Sequence, residues 1–138
     1  MATNRDSAGK FVKNSFKIKQ DIPHKLVSPF LRKIVFQVLR GVVLKTPVDE
    51  GVARGGWAVG GGAQPGPTGR VDQSGTATIN AGMAVIARLQ PFTKTWVTNH
   101  VHYIGFLDQG RPGPGSNQAP QGMARLTLEE VTAQFGGA

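Results

Sequence analysis

From Ser28 to Lys45 the apolar residues Phe30, Ile34, Val35, Val38, Leu39, Val42 and Val43 recur at spacings of three and four, while Arg32, Lys33, Gln37 and Arg40 fall largely off that line. That period traces one face of a helix. Ser28-Pro29 supplies its start, because serine is a good N-cap and proline is tolerated at the first helical position. Lys45 sits in the last turn, where positive charge suits the helix dipole. Gly41 weakens the helix by about 1 kcal/mol relative to alanine and is expected to mark a close contact with a neighbour. A weaker helical period, Ile79, Met83, Ile86 and Leu89, runs through Thr76–Leu89 and ends at Gln90-Pro91; Gly82 interrupts it. A third helix covers about 121–135, with Met123, Leu126, Leu128, Val131 and Phe135 on its apolar side and Gly136-Gly137 after it. Two runs suit strands: Gly56–Val59, and Thr93–Val101, which reads TKTWVTNHV and is rich in β-branched and aromatic residues.

Between the first helix and the first strand, residues 46–57 read TPVDEGVARGGW. Pro47 stops the helix, since it lacks an N–H and pushes its predecessor toward extended geometry. Val48-Asp49-Glu50-Gly51 then has the makings of a tight turn, with Asp49 able to bond its own backbone and Gly51 able to take positive φ. The result is a helix-to-strand corner with a charged tip. A second informative stretch, Asn99–Met123, reads NHVHYIGFLDQGRPGPGSNQAPQGM. It runs from a strand end through the apolar turn Tyr103, Phe106 and Leu107, packed under the loop that follows, to Asp108. That loop closes on Gln118-Ala119-Pro120 and leads into the last helix.

Composition changes this picture in two ways. Gly numbers 19 and the apolar content is 39%, so much of the chain is loop, notably Gly60–Gly75 and Gly110–Gly115. A structureless loop as long as the first, inside a compact domain, is usually functional or mobile. Charge is uneven. Residues 1–45 hold ten basic side chains, including Lys10, Lys13, Lys17 and Lys19, against Asp6 and Asp21; the rest of the chain balances, so this third carries the whole net charge of +8. Residues 1–27 read as a basic arm on a single domain, 28–138. Phe11, Phe16, Ile18 and Ile22 give the arm a few anchors, and Lys17-Ile18-Lys19 suits a short strand, so the arm either docks on a partner or is a disordered tail. Its charge suits DNA, an acidic protein surface or plain solubility.

Candidate chemistry is sparse. With no cysteine there is neither a disulfide nor a thiolate metal site. The Gly-rich loop lacks the Gly-Lys-Ser/Thr that a phosphate site needs. His100 and His102 share a face near a strand, with Asp108 in reach, but the ligand set is incomplete for zinc. Asp49 and Glu50 are adjacent and diverge in a turn, so they read as turn-formers and interface charges, not an acid/base pair. Arg54 is expected to pair with Asp49 or with an acid across a subunit contact. Trp57 and Trp96 read as core or sheet-packing residues, and Glu129 and Glu130 as the wet side of the last helix. No enzyme, cofactor or metal is expected. No apolar run approaches the roughly 20 residues of a membrane span, and the polar start Met1–Lys10 is not a signal peptide.

The two stretches together resemble the tail-completion or neck proteins of tailed bacteriophages. The likeness rests on Thr46-Pro47-Val48-Asp49 with Gly51, Arg54 and Trp57 after a long first helix. It rests equally on Asn99, Tyr103, Leu107, Asp108, Gly110, Gln118-Ala119-Pro120 and Gly122-Met123 before a last helix. It covers roughly residues 28–135. The family commonly has Thr where this chain has Glu50, a larger apolar residue at Ala53, and often Ser at Gly56 and Glu at Asp108.

The resemblance implies an α+β fold: a long helix and two further helices on a small, mostly antiparallel sheet. It implies no catalysis, but a ring of identical subunits, expected to be a hexamer, at the head–tail neck of a virion assembled in the host bacterial cytoplasm. The expected partners are the chain itself, a head-side connector or head-closure protein, a tail terminator or tail tube protein, and double-stranded DNA passing through the lumen without sequence specificity. Asp49, Glu50, Arg54, Asp108, Arg111 and Gln118 are the expected interface residues, and Lys10, Lys13, Lys17 and Lys19 the expected DNA-facing ones. The competing reading is a small basic nucleic-acid-binding protein that uses the arm; no groove-reading signature supports it.

Overall fold

The computed structural model of the chain describes residues 27–136; the basic arm with Lys10, Lys13, Lys17 and Lys19 lies outside them. The fold is α+β. In chain order it has α1 (Val27–Lys45), a one-turn helix α2 (Val52–Gly55), β1 (Trp57–Gly61), α3 (Thr76–Ile86), β2 (Thr95–Asn99), the short α4 (Ile104–Asp108) and α5 (Ala124–Phe135). The two strands form an antiparallel pair in the register Trp57–Asn99, Val59–Val97 and Gly61–Thr95.

The core forms where the apolar face of α1 meets the sheet. Val35, Leu39, Val42 and Val43 pack with Trp57 and Val59 of β1, Ile86 of α3, and Leu89, Ala119 and Met123 from the connecting segments. Leu39, Val43 and Met123 are wholly enclosed; full burial of one such side chain is worth about 1.5–3 kcal/mol. Two glycines let the helices approach. A Cβ on Gly82 of α3 would overlap Leu39 Cδ2, and one on Gly41 of α1 would stand 2.5 Å from Thr127 Cγ2 of α5. The close contact expected at Gly41 is therefore with the last helix. Lys45 closes the same pairing with an ion pair to Glu130 at 2.7 Å.

Several boundaries differ from the sequence reading. α1 begins before Ser28, so Ser28 lies buried in the first turn instead of capping it, and its Oγ has no partner among the described residues. α3 ends at Ile86; Leu89 still reaches the core, but from the turn that follows. α5 starts at Ala124 instead of Gln121, because Gly122 takes a positive φ of 79° just before it. β2 is limited to five residues because Asn99 turns its side chain back on the neighbouring backbone, accepting from Val101 N–H at 3.0 Å. Phe106, expected under the following loop, is 56% exposed, whereas Leu107 packs against the core.

Candidate functional site

The first corner is held from inside by a buried polar pin. Thr46 Oγ1 donates to the Val42 carbonyl at 2.6 Å and accepts from the Trp57 indole N–H at 2.7 Å. One hydroxyl thus ends α1 and fixes the start of β1, and both residues are buried. Arg54 adds a second clamp. Its guanidinium donates to the carbonyls of Leu44 and Thr46 at 3.2 and 2.9 Å, and to that of Gln73 at 2.8 Å. The last carbonyls of a helix have no intrahelical donor, and this cation both satisfies them and suits the negative end of the dipole. Arg54 therefore pairs with backbone oxygens and not with Asp49. Gly51 holds φ at 97°, and a side chain there would run into the backbone of Asp72 and Gln73. Its carbonyl accepts from Gly55 N–H and Asp72 N–H, both at 2.9 Å. The short helix α2, absent from the sequence reading, is the turn that follows this glycine.

The long loop beyond β1 is tied back onto this corner. Thr68 Oγ1 and Arg70 Nη1 donate to the Gly55 carbonyl at 2.7 and 3.1 Å. Asp72, which the sequence reading did not single out, is buried. Its Oδ1 accepts from Gly75 N–H at 3.0 Å and Ser74 Oγ at 3.3 Å, and its Oδ2 from Thr78 N–H and Thr78 Oγ1 at 2.8 and 2.7 Å. Burial alone would raise this carboxyl's pKa, but the bonds from Thr78, Gly75 and Ser74 outweigh it and hold it below the ordinary aspartate value. The carboxylate caps α3. An acid and a serine just before Thr76 were the available signal; the surrounding Gly/Pro composition hid it.

The second stretch is built the same way. Asp108 Oδ1 accepts from the N–H groups of Met123 and Ala124 at 2.9 and 2.8 Å. A carboxylate 15 residues upstream in sequence thereby caps α5. Gln118 joins the two stretches: its Oε1 accepts from Val48 N–H at 2.8 Å, and its Nε2 donates to the Val48 carbonyl at 3.1 Å.

Of the six expected interface residues, Arg54, Asp108 and Gln118 are thus engaged within the chain. Asp49, Glu50 and Arg111 remain exposed, and no ion pair among the described residues uses them. Between the joined stretches lies an open groove of about 290 Å³, lined by Pro47, Asp49, Glu50, Tyr103, Leu107 and Ser116 among others. Residues of both motif regions face solvent together there.

The histidines are placed apart from Asp108's role. His100 Nε2 lies 2.8 Å from the Pro65 carbonyl, and His102 packs edge-on against Tyr103. Among the described residues no group of three histidines or acids is arranged to hold a metal. Trp96 is not in the core: its indole N–H donates to the Gly62 carbonyl at 3.0 Å, and Lys94 Nζ sits 4.4 Å above the ring. Among the described residues no helix is long and apolar enough to cross a membrane. Set against protein-family models, characterised proteins and solved structures, the chain matches none.

Proposed function

We propose that this chain is a structural virion subunit of a tailed bacteriophage, a neck or tail-completion protein that forms a ring at the head–tail junction. One observation carries the reading. The two stretches that bear the resemblance close on each other through Gln118 and Val48. The polar groups of Thr46, Arg54, Trp57, Asn99, Asp108 and Gln118 all hold backbone or one another. Polar groups used in this way favour a role in presenting a surface to a partner.

A ring is made by one patch on each subunit meeting a different patch on the next, with rotation closing the set. In this reading Asp49 and Glu50, at the groove, meet Arg111 of a neighbouring copy. Rim charges of this kind choose partner and register more than they supply affinity. The ring, a hexamer, joins a head-side connector to the tail, and DNA slides through its lumen along a mildly basic wall supplied by the arm. Phosphate contacts of that sort are sequence-blind and weaken steeply with salt.

The test is electron microscopy of intact particles with the chain labelled, beside imaging of the purified protein with and without tail tubes. Rings of this chain at the neck are the expected result; particles whose neck lacks it would overturn the reading. The uneven charge keeps a nucleic-acid-binding module as the second reading. Tight, salt-dependent binding of random duplex DNA by the free protein, together with absence from particles, would decide for that one.

A further inference from the structure

Among the described residues, one edge of the sheet is open. Gly62 N–H donates to the Lys94 carbonyl at 2.7 Å, which extends the ladder by one pair and sets its parity. Ala58–Thr98 and Gly60–Trp96 are the pairs that exchange bonds, so Thr95, Val97 and Asn99 turn their backbone N–H and C=O away from β1. On the β1 side the outward carbonyl of Trp57 accepts from Arg70 at 3.3 Å. On the β2 side no hydrogen bond among the described residues reaches those outward groups. Beside this edge runs an apolar groove of about 320 Å³, whose walls include Val35, Val38 and Val42 of α1, Val97 of β2 and Leu128 of α5. Leu128 is 54% exposed. An unpaired strand edge beside an apolar trough is a template for an added strand.

We propose that residues 15–19 of the same chain, Ser-Phe-Lys-Ile-Lys, add to the outer edge of β2 as a third strand. The alternation fits: successive side chains in a strand point to opposite faces, so Phe16 and Ile18 enter the groove together while Lys17 and Lys19 face outward. Val97 pairs with buried Val59, which places the groove on the helix side of the sheet, where Phe16 and Ile18 must go. The tether is long enough. Lys19 is eight residues from Val27 and can reach about 26 Å when extended, whereas Val27 to Val38 along α1 is about 16 Å. Lys17 and Lys19 then join Lys94 above Trp96 on the outward face, giving the neutral body one basic side.

Amide hydrogen exchange by NMR on the full chain, at a concentration where it sediments as a monomer, tests this. The amides of Thr95, Val97 and Asn99 are expected to be protected, with contacts seen between the methyl groups of Ile18 and Val97. In the full-length F16D/I18D variant those three amides should exchange about tenfold faster or more while Trp96 and Thr98 keep their protection. A synthetic peptide of residues 11–22 added to the variant should restore it. Unprotected Thr95, Val97 and Asn99 amides in the unaltered monomer would overturn the proposal. So would protection that survives F16D/I18D, or protection that appears only as the chain associates, which would make a second copy the occupant. Should the variant unfold, the Ile18–Val97 contact in the unaltered chain decides by itself.

Discussion

Gln118 and Val48 are 70 positions apart in sequence, yet the side-chain amide of one closes a two-bond ring on the backbone of the other, at 2.8 and 3.1 Å. The pairing copies the exchange between facing residues of an antiparallel ladder, with a side chain standing in for a strand. It needs both a donor and an acceptor on one planar group, which among side chains of this length glutamine provides. Gln118→Glu keeps the acceptor for Val48 N–H but sets a carboxylate against the Val48 carbonyl, near Asp49 and Glu50. Gln118→Ala should cost about 1 kcal/mol, because the bonds are solvent-exposed, and Gln118→Glu at least as much at neutral pH. Urea unfolding of the two variants checks the order; a more stable Gln118→Glu chain would contradict it.

Asp72 makes stability depend on acid in a defined direction. The bonds from Thr78, Gly75 and Ser74 hold its folded pKa below the ordinary aspartate value, so the unfolded chain binds its proton first as pH falls. The contribution is fully present above about pH 4 and is lost on further acidification through the folded value. Asp72→Asn should cost about 2–3 kcal/mol at pH 7, since charge-assisted bonds to buried N–H groups are the strong ones. It should also flatten the stability curve below pH 4 relative to the unaltered chain. Denaturant midpoints between pH 2.5 and 7 measure both; parallel curves would show that Asp72 is not the titrating group.

How much of this was legible in the sequence follows from the range of the interactions. The face of α1 was readable because Val35, Leu39, Val42 and Val43 carry a period that burial imposes locally. The turn at Gly51 was readable because only glycine accepts φ near 97° at little cost. The roles of Arg54, Asp108 and Gln118 were not. Each bonds backbone 8 to 70 positions away, and a charged or amide side chain looks the same in sequence whether it meets a neighbour or its own chain. Asp72 was missed because its capping role depends on a loop that folds back onto Gly51 and Gly55.

The Thr46–Trp57 pin is suited to a double-mutant cycle. Thr46→Val keeps the side-chain shape but leaves the Trp57 indole N–H buried without its acceptor, and an unmet buried donor costs about 1–3 kcal/mol. Trp57→Phe removes the donor and also some packing. If the 2.7 Å bond is the coupling, the double variant should be less destabilised than the two single losses added together, by about 1 kcal/mol or more. Additive losses in thermal unfolding would deny the pin its role.

Gly82→Ala sets two effects in opposition. Alanine favours a helix over glycine by about 1 kcal/mol, but the new methyl would overlap Leu39 Cδ2, and Leu39 is wholly enclosed and has nowhere to turn. Overpacking of this kind costs about 1–3 kcal/mol, so the substitution should destabilise on balance. Leu39→Val, made together with it, should recover part of the loss by shortening the obstructing side chain. A Gly82→Ala chain with a raised unfolding midpoint would mean that α1 and α3 can move apart freely.

Asp49 and Glu50 separate folding from assembly. Both are exposed, and no ion pair among the described residues uses their side chains. Substitutions at such positions usually change stability by no more than about 0.5 kcal/mol. D49K/E50K should therefore leave the unfolding midpoint near that of the unaltered chain. In the proposed ring the same change turns an attraction to a neighbour's Arg111 into a repulsion, and like charges brought together in an interface cost several kcal/mol. Assembly on tails, scored by electron microscopy and by yield of joined particles, should fall sharply, and an added Arg111→Glu in the same chain should restore part of it. Full assembly by D49K/E50K would remove these acids from the interface, and a large loss of stability would show that they serve the fold instead.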